Sequence, residues 1–194
     1  PKKKKLRRKD FVPHRPGDLV QMDTIAIFTA GLKRYIFTAL DVRTRFAFAY
    51  AYKANSSANG SDFIGKFLKV APFVTRRVQT DNGSEFASHF DHFCLKHDLT
   101  HFFNYPRHPE SNGFLERFNR TIQEQCVNLY IDYLDEPDDF NRKLMDYLLW
   151  YTCSEQGRTN TEKPHRGIGK IPPMRYYLDN FCPLNQSNML WTLT

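Results

Sequence analysis

Apolar and polar residues alternate along the start of the chain in a way that predicts three short strands. These strands cover Leu19–Phe28, Tyr35–Val42 and Phe46–Tyr52. Alternation with a period of two, together with many β-branched and aromatic residues, is typical of β-strands. Because only a few residues separate the three segments, we expect them to pair as antiparallel neighbours.

Helical spacing and short strands alternate over the middle of the chain. Apolar residues recur every three or four positions in four predicted helices: Ala58–Val70, a segment around Phe86–Leu95, a segment from Ser111 or Asn112 to Leu129, and Pro137–Trp150. Ser84 is expected to cap the second helix, and strands are predicted at Val74–Thr80 and Leu99–Asn104. No regular element is predicted beyond Tyr151. The order βββαβαβαα indicates an α/β fold, with a mixed five-stranded sheet and helices on both faces.

Composition and charge indicate one globular domain preceded by a basic arm. The chain has 194 residues, of which 41% are hydrophobic and 25% are charged, and this composition is typical of globular proteins. The formal net charge is +7, and the first ten residues carry +6 of it because they hold seven Lys or Arg and one Asp. We divide the chain into a basic linker or arm (residues 1–16), a core (17–178) and a C-terminal tail (179–194). The arm is expected to serve as a linker or to bind phosphates.

Two classes of protein are disfavoured by the sequence. No apolar run approaches the length that a membrane-spanning helix needs, so no membrane partner is expected. The four cysteines are far apart in the chain and form no zinc-finger or disulfide pattern, which fits a reducing compartment. They are Cys94, Cys126, Cys153 and Cys182.

Three acidic residues lie at positions where a catalytic or metal-binding role is one explanation for the acid. Asp23 lies within the first predicted strand, where a buried and unpaired carboxylate is costly. Asp81 follows the fourth predicted strand, and ligands of open α/β sheets gather at the carboxyl ends of strands. Glu116 begins the long helix and shares a face with Arg120. Taken singly, the three also fit a strand-edge Asp, an Asp-Asn-Gly turn and a Glu paired with the helix dipole.

Three carboxylates from different elements would make a site of hard oxygen ligands. Mg²⁺ and Mn²⁺ prefer such ligands and keep water molecules for exchange with a substrate. A pair of these ions can activate the attacking oxygen and stabilise the leaving oxygen of a phosphodiester. The acids therefore favour phosphoryl-transfer chemistry, provided that folding brings them together.

The sequence around these acids resembles a known family. Asp23 stands in QMDTI, Asp81 in QTDNGSEF and Glu116 in HPESNGFLERFNRT, and 34 residues separate Asp81 from Glu116. These blocks resemble the DDE signature of retroviral-type integrases and bacterial insertion-sequence transposases. The resemblance extends from Gly17 to Tyr177 and includes a block similar to the family's Asn-x-x-Arg-Pro-His motif at Asn160–Tyr177.

The resemblance implies an RNase H-like fold and a polynucleotidyl transferase. In such enzymes water, and then a DNA 3′-hydroxyl, attacks a phosphodiester, so the core would carry out metal-dependent DNA strand transfer. Asp23, Asp81 and Glu116 would be the catalytic residues and would hold two Mg²⁺ or Mn²⁺ ions. The resemblance also implies DNA partners (transposon ends and target), a homo-oligomer and a location in the bacterial cytoplasm, at the nucleoid. The residues expected to contact DNA are Asn82, Ser111, Asn112, Gly113, Asn119 and Arg120.

The chain departs from the family pattern at several positions. Glu110 stands where Gln is usual, and Phe114 stands where a basic residue is common, so one expected phosphate contact is missing. Lys163 replaces an Arg, which removes bidentate geometry. Residues 152–159 separate Tyr151 from Asn160, two residues that resemble a normally adjacent pair, and this leaves the position of His165 open.

Two other functions remain alternatives. An RNase H-type nuclease would use the same acids and ions with water as its only nucleophile, and a non-catalytic DNA-binding protein could retain the fold. His97 and His101 have a spacing that zinc ligands use. They lack the His-Glu-x-x-His pattern, so we interpret them as surface or structural histidines.

Overall fold

A single mixed sheet of five strands is the centre of the structure. The computed structural model describes residues 5–8, 10–104, 112–154 and 165–182. Its strands are β1 (Val20–Thr29), β2 (Leu32–Asp41), β3 (Ala47–Tyr52), β4 (Arg77–Thr80) and β5 (Thr100–Phe103). Their order is β3-β2-β1-β4-β5. The first three strands pair as antiparallel neighbours, and β4 is parallel to both β1 and β5. The predicted mixed five-stranded sheet is confirmed.

Five α-helices surround the sheet in the described part of the chain. They are α1 (Ser57–Val70), α2 (His89–Lys96), α3 (Gly113–Ile122), α4 (Pro137–Cys153) and α5 (Pro173–Phe181). Shorter 3₁₀ turns cover Ser84–Phe86, Ile131–Asp135 and Arg166–Ile168, and a π turn covers Gln123–Val127. The sequence pattern did not predict α5. This helix begins at Pro173, because proline fits the first helical position, where no intrahelical N–H is needed.

The helices lie on both faces of the sheet, as predicted. On one face Phe63 of α1 packs against Phe37 of β2 and stacks on Phe48 of β3, with ring centroids 5.7 and 5.6 Å apart. On the other face α4 places the buried Asn141 beside β3. The Asn141 side chain accepts a hydrogen bond from the Ala51 N–H (2.7 Å) and donates one to the Ala51 carbonyl (3.1 Å). This side chain therefore satisfies both backbone groups of Ala51 on an edge strand.

The strand before Asp81 is shorter than predicted. It begins at Arg77 rather than Val74, and Val74 is 72% exposed. The reason is the close approach of Gly17, whose carbonyl accepts the Arg76 N–H at 2.7 Å. A Cβ on Gly17 would lie 2.1 Å from the Val74 carbonyl oxygen, and Gly17 has a φ of +74° that favours glycine. The segment Val74–Arg76 therefore meets the chain entering β1 instead of extending β4.

Two helix ends also differ from the predictions. Ser84 does not cap α2: it begins a 3₁₀ turn that buries Phe86, and Ser88 precedes α2 without a side-chain cap hydrogen bond. The apolar face of the third predicted helix was expected to reach Leu129. It ends earlier, since Cys126 is buried while Leu129 is 70% exposed. The π turn after α3 holds one more residue per hydrogen-bonded turn than an α-helix, so it shifts the following residues around the helix axis.

Part of the basic arm lies along the edge of the sheet. The Phe103 N–H donates a hydrogen bond to the Lys5 carbonyl at 2.9 Å, and Leu6 forms a parallel bridge with Phe103 of β5. The arm thus covers backbone groups that an edge strand would otherwise expose. Residues 1–4 and 9 of the arm, and residues 183–194 of the tail, lie outside the described part, and the division into arm, core and tail stays a prediction.

All four cysteines are free thiols, with Cys94 and Cys126 buried and Cys153 exposed. Within the described ranges, none of the helices has the length and apolar character required to cross a membrane.

Candidate active site

Asp23 lies in the middle of the sheet, beside α3. It is half-buried on β1, opposite Thr38 of β2. One carboxylate oxygen accepts the Thr24 N–H at 2.8 Å, and the other accepts a hydrogen bond from the Asn119 side-chain amide at 2.9 Å. Because Asn119 belongs to α3, this second bond joins the strand that carries Asp23 to the helix that carries Glu116.

Asp81 is level with Asp23 on the neighbouring strand. The parallel strands β1 and β4 pair Val20 with Val78 and Gln21 with Gln79. Continuing this offset by two residues places Asp81, directly after β4, beside Asp23. Asp81 is exposed, and its carboxylate accepts the Gly83 N–H at 2.9 Å, which holds the Asp-Asn-Gly turn.

The electrostatics of Asp23 show that other acids lie close to it. Burial raises the pKa of the Asp23 carboxyl above its ordinary value, and the Thr24 N–H partly opposes that increase. The negative charges of Asp81, Glu85 and Glu116 raise the same pKa further. Charges act on one another in this way only at short range in a partly solvated site. The structure therefore brings Asp81 and Glu116 to the neighbourhood of Asp23.

The three predicted metal ligands are neighbours without forming a closed set of ligands. Glu116 is exposed in the first turn of α3. Among the described residues, no three His, Cys, Asp or Glu side chains are grouped tightly enough to hold a metal ion. Carboxylates repel one another at short range, and Asp23 and Asp81 each accept hydrogen bonds from the protein. The donor set still suits Mg²⁺, which binds through one or two carboxylates together with water and substrate phosphates rather than through an all-protein cage.

Glu85 is an acid of this site that the sequence analysis did not single out. It is 6% exposed, and its charge acts on Asp23. A Cβ on Gly83 would lie 2.5 Å from a Glu85 carboxylate oxygen, so the glycine leaves room for this side chain. The signal was present in the sequence, because Glu85 belongs to the DNGSEF block. Its position suggested only the start of a helix.

The residues predicted to contact DNA lie around these acids. Asn82 is exposed beside Asp81 and borders a cavity of about 490 Å³ between the Asp-Asn-Gly turn, α2 and Lys5. Gly113 is exposed at the start of α3, and Arg120 is exposed in an open groove that also contains Glu116. Ser111 lies outside the described residues, so its role stays a prediction.

Two asparagines of this set are buried rather than exposed. Asn112 precedes α3 and Asn119 lies within it, and each is 8% exposed. The side-chain oxygens of both residues have no hydrogen-bond partner among the described residues. Buried polar atoms are nearly always satisfied in folded proteins. These two acceptors next to Glu116 are therefore available for a donor from outside the described residues.

The histidine pair does not form a zinc site. The two ring nitrogens of His101 lie 2.7 Å from an Asp91 carboxylate oxygen and 2.8 Å from the Thr80 hydroxyl. His97 instead stacks on Phe93, with ring centroids 4.2 Å apart. His101 is thus a structural histidine that links α2 and β5 to the residue immediately before Asp81.

The C-terminal block is described only in part. Residues 152–154 complete and follow α4, whereas residues 155–164, including Asn160 and Lys163, lie outside the described residues, as does Glu110. His165 is buried against Tyr151, with ring centroids 4.7 Å apart and its Nε2 atom 3.3 Å from the Tyr151 carbonyl oxygen. The structure therefore places His165 at the end of α4.

Solved structures with the same architecture identify the fold. The chain aligns with the catalytic core domain of BIV integrase at a TM-score of 0.61 and 18% identity, covering 90% of this chain and 99% of that one. It aligns with the HTLV-2 integrase catalytic core domain, solved with magnesium, at a TM-score of 0.60 and 18% identity, covering 75% and 93%. It also aligns with a chain of the simian T-cell lymphotropic virus intasome at a TM-score of 0.66 and 19% identity, covering 84% and 58%. The fold is therefore the RNase H-like fold of retroviral integrase catalytic cores.

Sequence comparison then identifies the family. A model described as integrase core domain matches residues 13–109, and a second model of the same description matches residues 97–173. The chain belongs to the integrase core domain family, which is associated with DNA integration and transposition.

Two relatives match most of the chain. The ORF3 protein of Spiroplasma virus SpV1-C74, which is named as an integrase, is 26% identical over 179 residues, covering 81% of this chain and 47% of the viral protein. An uncharacterized 39.2 kDa protein of insertion element IS476 from Xanthomonas euvesicatoria is 26% identical over 183 residues, covering 88% and 47%. The chain therefore spans about half the length of these relatives.

Proposed function

We propose that this chain is the catalytic core of a DDE transposase or integrase, which cuts and joins DNA strands with the help of divalent metal ions. The observation that supports this most is the arrangement around Asp23. Asp81 directly follows the neighbouring strand β4, whose register with β1 continues to Asp23, and the charges of Asp81 and Glu116 both act on Asp23. These charge effects between acids that are far apart in the sequence support the proposal of a shared site.

In this proposal Asp23, Asp81 and Glu116 would hold two Mg²⁺ or Mn²⁺ ions. The ions, when bound, would activate the attacking oxygen and stabilise the leaving oxygen of a phosphodiester. The chain's own contribution is to fix the ligands. The Asn119 amide and the Thr24 N–H orient the two oxygens of Asp23, and the Gly83 N–H orients Asp81. Orientation of this kind is what outer hydrogen-bond partners provide in metal sites.

The proposed substrate is DNA, both as the ends to be joined and as the target. Arg120 is exposed beside Glu116 and would bind a phosphate near the acids. Asn82, beside Asp81, and Gly113, at the start of the helix that carries Glu116, are both exposed and are proposed to contact the DNA as well. The HTLV-2 integrase core was solved in dimeric and trimeric forms, and we infer that this chain also acts as an oligomer.

A strand-transfer assay tests the proposed function. A labelled DNA end that is already cleaved is incubated with a plasmid target and Mg²⁺ or Mn²⁺, and joined products are separated on a gel. Asp81→Asn preserves the shape of the side chain and removes its charge, so it should abolish joining. Asp146→Asn is the matched control, because Asp146 is exposed on α4. Equal joining by wild type and Asp81→Asn would exclude the assigned role.

The same assay separates the alternative functions. Shortened DNA without joined strands would indicate an RNase H-type nuclease that uses the same acids. A protein that binds DNA equally well as wild type and as Glu116→Gln, and that neither cuts nor joins it, would be a DNA-binding protein that retains the fold.

A further inference from the structure

The helix that carries Glu116 has a second side, and that side is basic. Glu116 and Arg120 face one open groove, whereas Phe114 and Arg117 face another part of the surface. We propose that Arg45 and Arg117 on this second side form a subsite for DNA backbone phosphates, with one phosphate at each guanidinium, which holds the strand beside the catalytic acids. The proposal rests on the proposed function, because it assigns the route by which the substrate reaches that site.

Arg45 is held in an unusual position by the turn between β2 and β3. Its backbone has a φ of +64°, which is uncommon for a residue other than glycine. Its guanidinium carbon lies 3.5 Å from the centre of the Phe114 ring, so the two planar groups are in contact. Phe114 is the residue that replaces a common basic residue of the family pattern. The structure therefore supplies a cation at this place from a different element.

The charge of Arg45 is not neutralised within the described residues. Its side chain forms no hydrogen bond or ion pair with any of them, and its buried Nη1 atom has no partner. Burial lowers the pKa of Arg45 below its ordinary value while leaving the group charged, and nearby Arg117 acts in the same direction. The Asp41 carboxylate opposes this effect, but it accepts its hydrogen bonds from Gly17 and Thr44. The Arg45 side chain is half-buried, so an anionic partner would approach the part of the guanidinium that stays exposed rather than the buried Nη1 atom.

Arg117 extends the same site towards the acids. It is exposed in α3 directly after Glu116, and its side chain has no hydrogen bond or ion pair among the described residues. It borders the small cavity around Arg45 and also a groove of about 330 Å³ lined by Phe114, Gly113 and Gln21. Gln21 precedes Asp23 by two residues and points to the same face of β1, because side chains alternate along a strand. The groove therefore extends from Arg117 to the strand that carries Asp23, and residues of the N-terminal arm, among them Arg7 and Phe11, also line it.

The chemistry of this surface favours a nucleic-acid backbone over other anions. Two neighbouring guanidinium groups can each donate paired hydrogen bonds to phosphate oxygens. Arg117 directly follows Glu116 in α3, so a DNA strand bound at the acids would pass beside these guanidinium groups. Phosphate contacts of this kind fix the register of the strand and carry no base specificity.

A DNA-binding assay tests the subsite. Fluorescence anisotropy measures the affinity for a labelled DNA duplex at a series of salt concentrations, without divalent metal. Each phosphate contact contributes about 0.9 to the slope of log affinity against log salt. Arg45→Gln and Arg117→Gln should each reduce the slope by about 0.9 and weaken binding about eightfold at 0.1 M salt. Arg45→Lys keeps the charge and should retain the slope.

Controls distinguish this proposal from changes in folding and from the proposed function. Arg142→Gln, at an exposed position of α4, should leave the slope unchanged. If Arg45→Gln does not fold, as judged by thermal unfolding, the exposed Arg117→Gln variant still decides the question. A wild-type slope in a folded Arg117→Gln variant, or displacement of the DNA by polyglutamate at equal charge concentration, overturns the subsite. Because no metal is present, a failure of strand transfer leaves this result intact.

Discussion

Replacement of Asn119 by alanine should separate catalysis from stability. The Asn119 amide donates to Asp23 at 2.9 Å from a position that is 8% exposed. A hydrogen bond to a charged group contributes about 1.5–3 kcal/mol. Asp23 is only half-buried, so water will replace part of the lost bond, and we expect the lower end of that range. This corresponds to about a tenfold loss in metal affinity or joining rate.

The effect of the same change on folding should be small. Asn119 carries a buried carbonyl oxygen without a partner among the described residues, and alanine removes this unsatisfied atom. Losing the bond to Asp23 acts in the opposite direction. The free energy of unfolding should therefore change by about 1 kcal/mol or less.

The assay is the rate of strand joining as a function of Mg²⁺ concentration, together with urea unfolding. The Asn119→Ala variant should require about ten times more Mg²⁺ for half-maximal joining. Asn128→Ala is the control, because Asn128 is exposed in the same groove as Arg120. An Asn119→Ala variant with the wild-type Mg²⁺ requirement would refute the idea that this amide orients Asp23.

Two further predictions concern stability. Asn141→Ala should destabilise the fold by about 2–5 kcal/mol in urea unfolding, because the N–H and the carbonyl of buried Ala51 each lose a partner worth about 1–3 kcal/mol; a change below about 1 kcal/mol would contradict this. Asp23 has a folded-state pKa above its ordinary value of 3.8, so its stabilising contribution is present below that value and is lost as pH rises through the raised pKa. Asp23→Asn should accordingly abolish joining. It should also raise the unfolding temperature relative to wild type, and by more at pH 7 than at pH 4. An equal increase at the two pH values would show that folding does not disfavour the charge of Asp23.

The sequence predicted the parts of the fold that local patterns determine. Period-two alternation gave the three antiparallel strands, and helical spacing gave four of the five described α-helices. Asp23 and Asp81 are candidate site residues from sequence alone. An acid is unfavourable within a strand, as for Asp23, and ligands gather at the carboxyl ends of strands, as for Asp81. The structure puts them side by side, a relation that follows from the parallel pairing of β1 and β4.

Contacts between distant segments explain what the sequence did not predict. The start of β4 depends on Gly17, which lies against Val74 from far away in the chain. The contact between Arg45 and Phe114 joins a turn to a helix, and nothing in either local sequence indicates it. Glu85 was overlooked because its pattern fits a helix start, and only the folded structure shows its charge acting on Asp23.

The position of α3 has a mechanical consequence. This one short helix carries the acid Glu116, the residue Asn119 that binds Asp23, and Arg117 of the proposed phosphate subsite. A tilt or rotation of α3 cannot move Glu116 without also moving Arg117, which is proposed to bind a DNA phosphate. Alignment of the substrate and assembly of the catalytic centre would therefore be coupled through a single moving part.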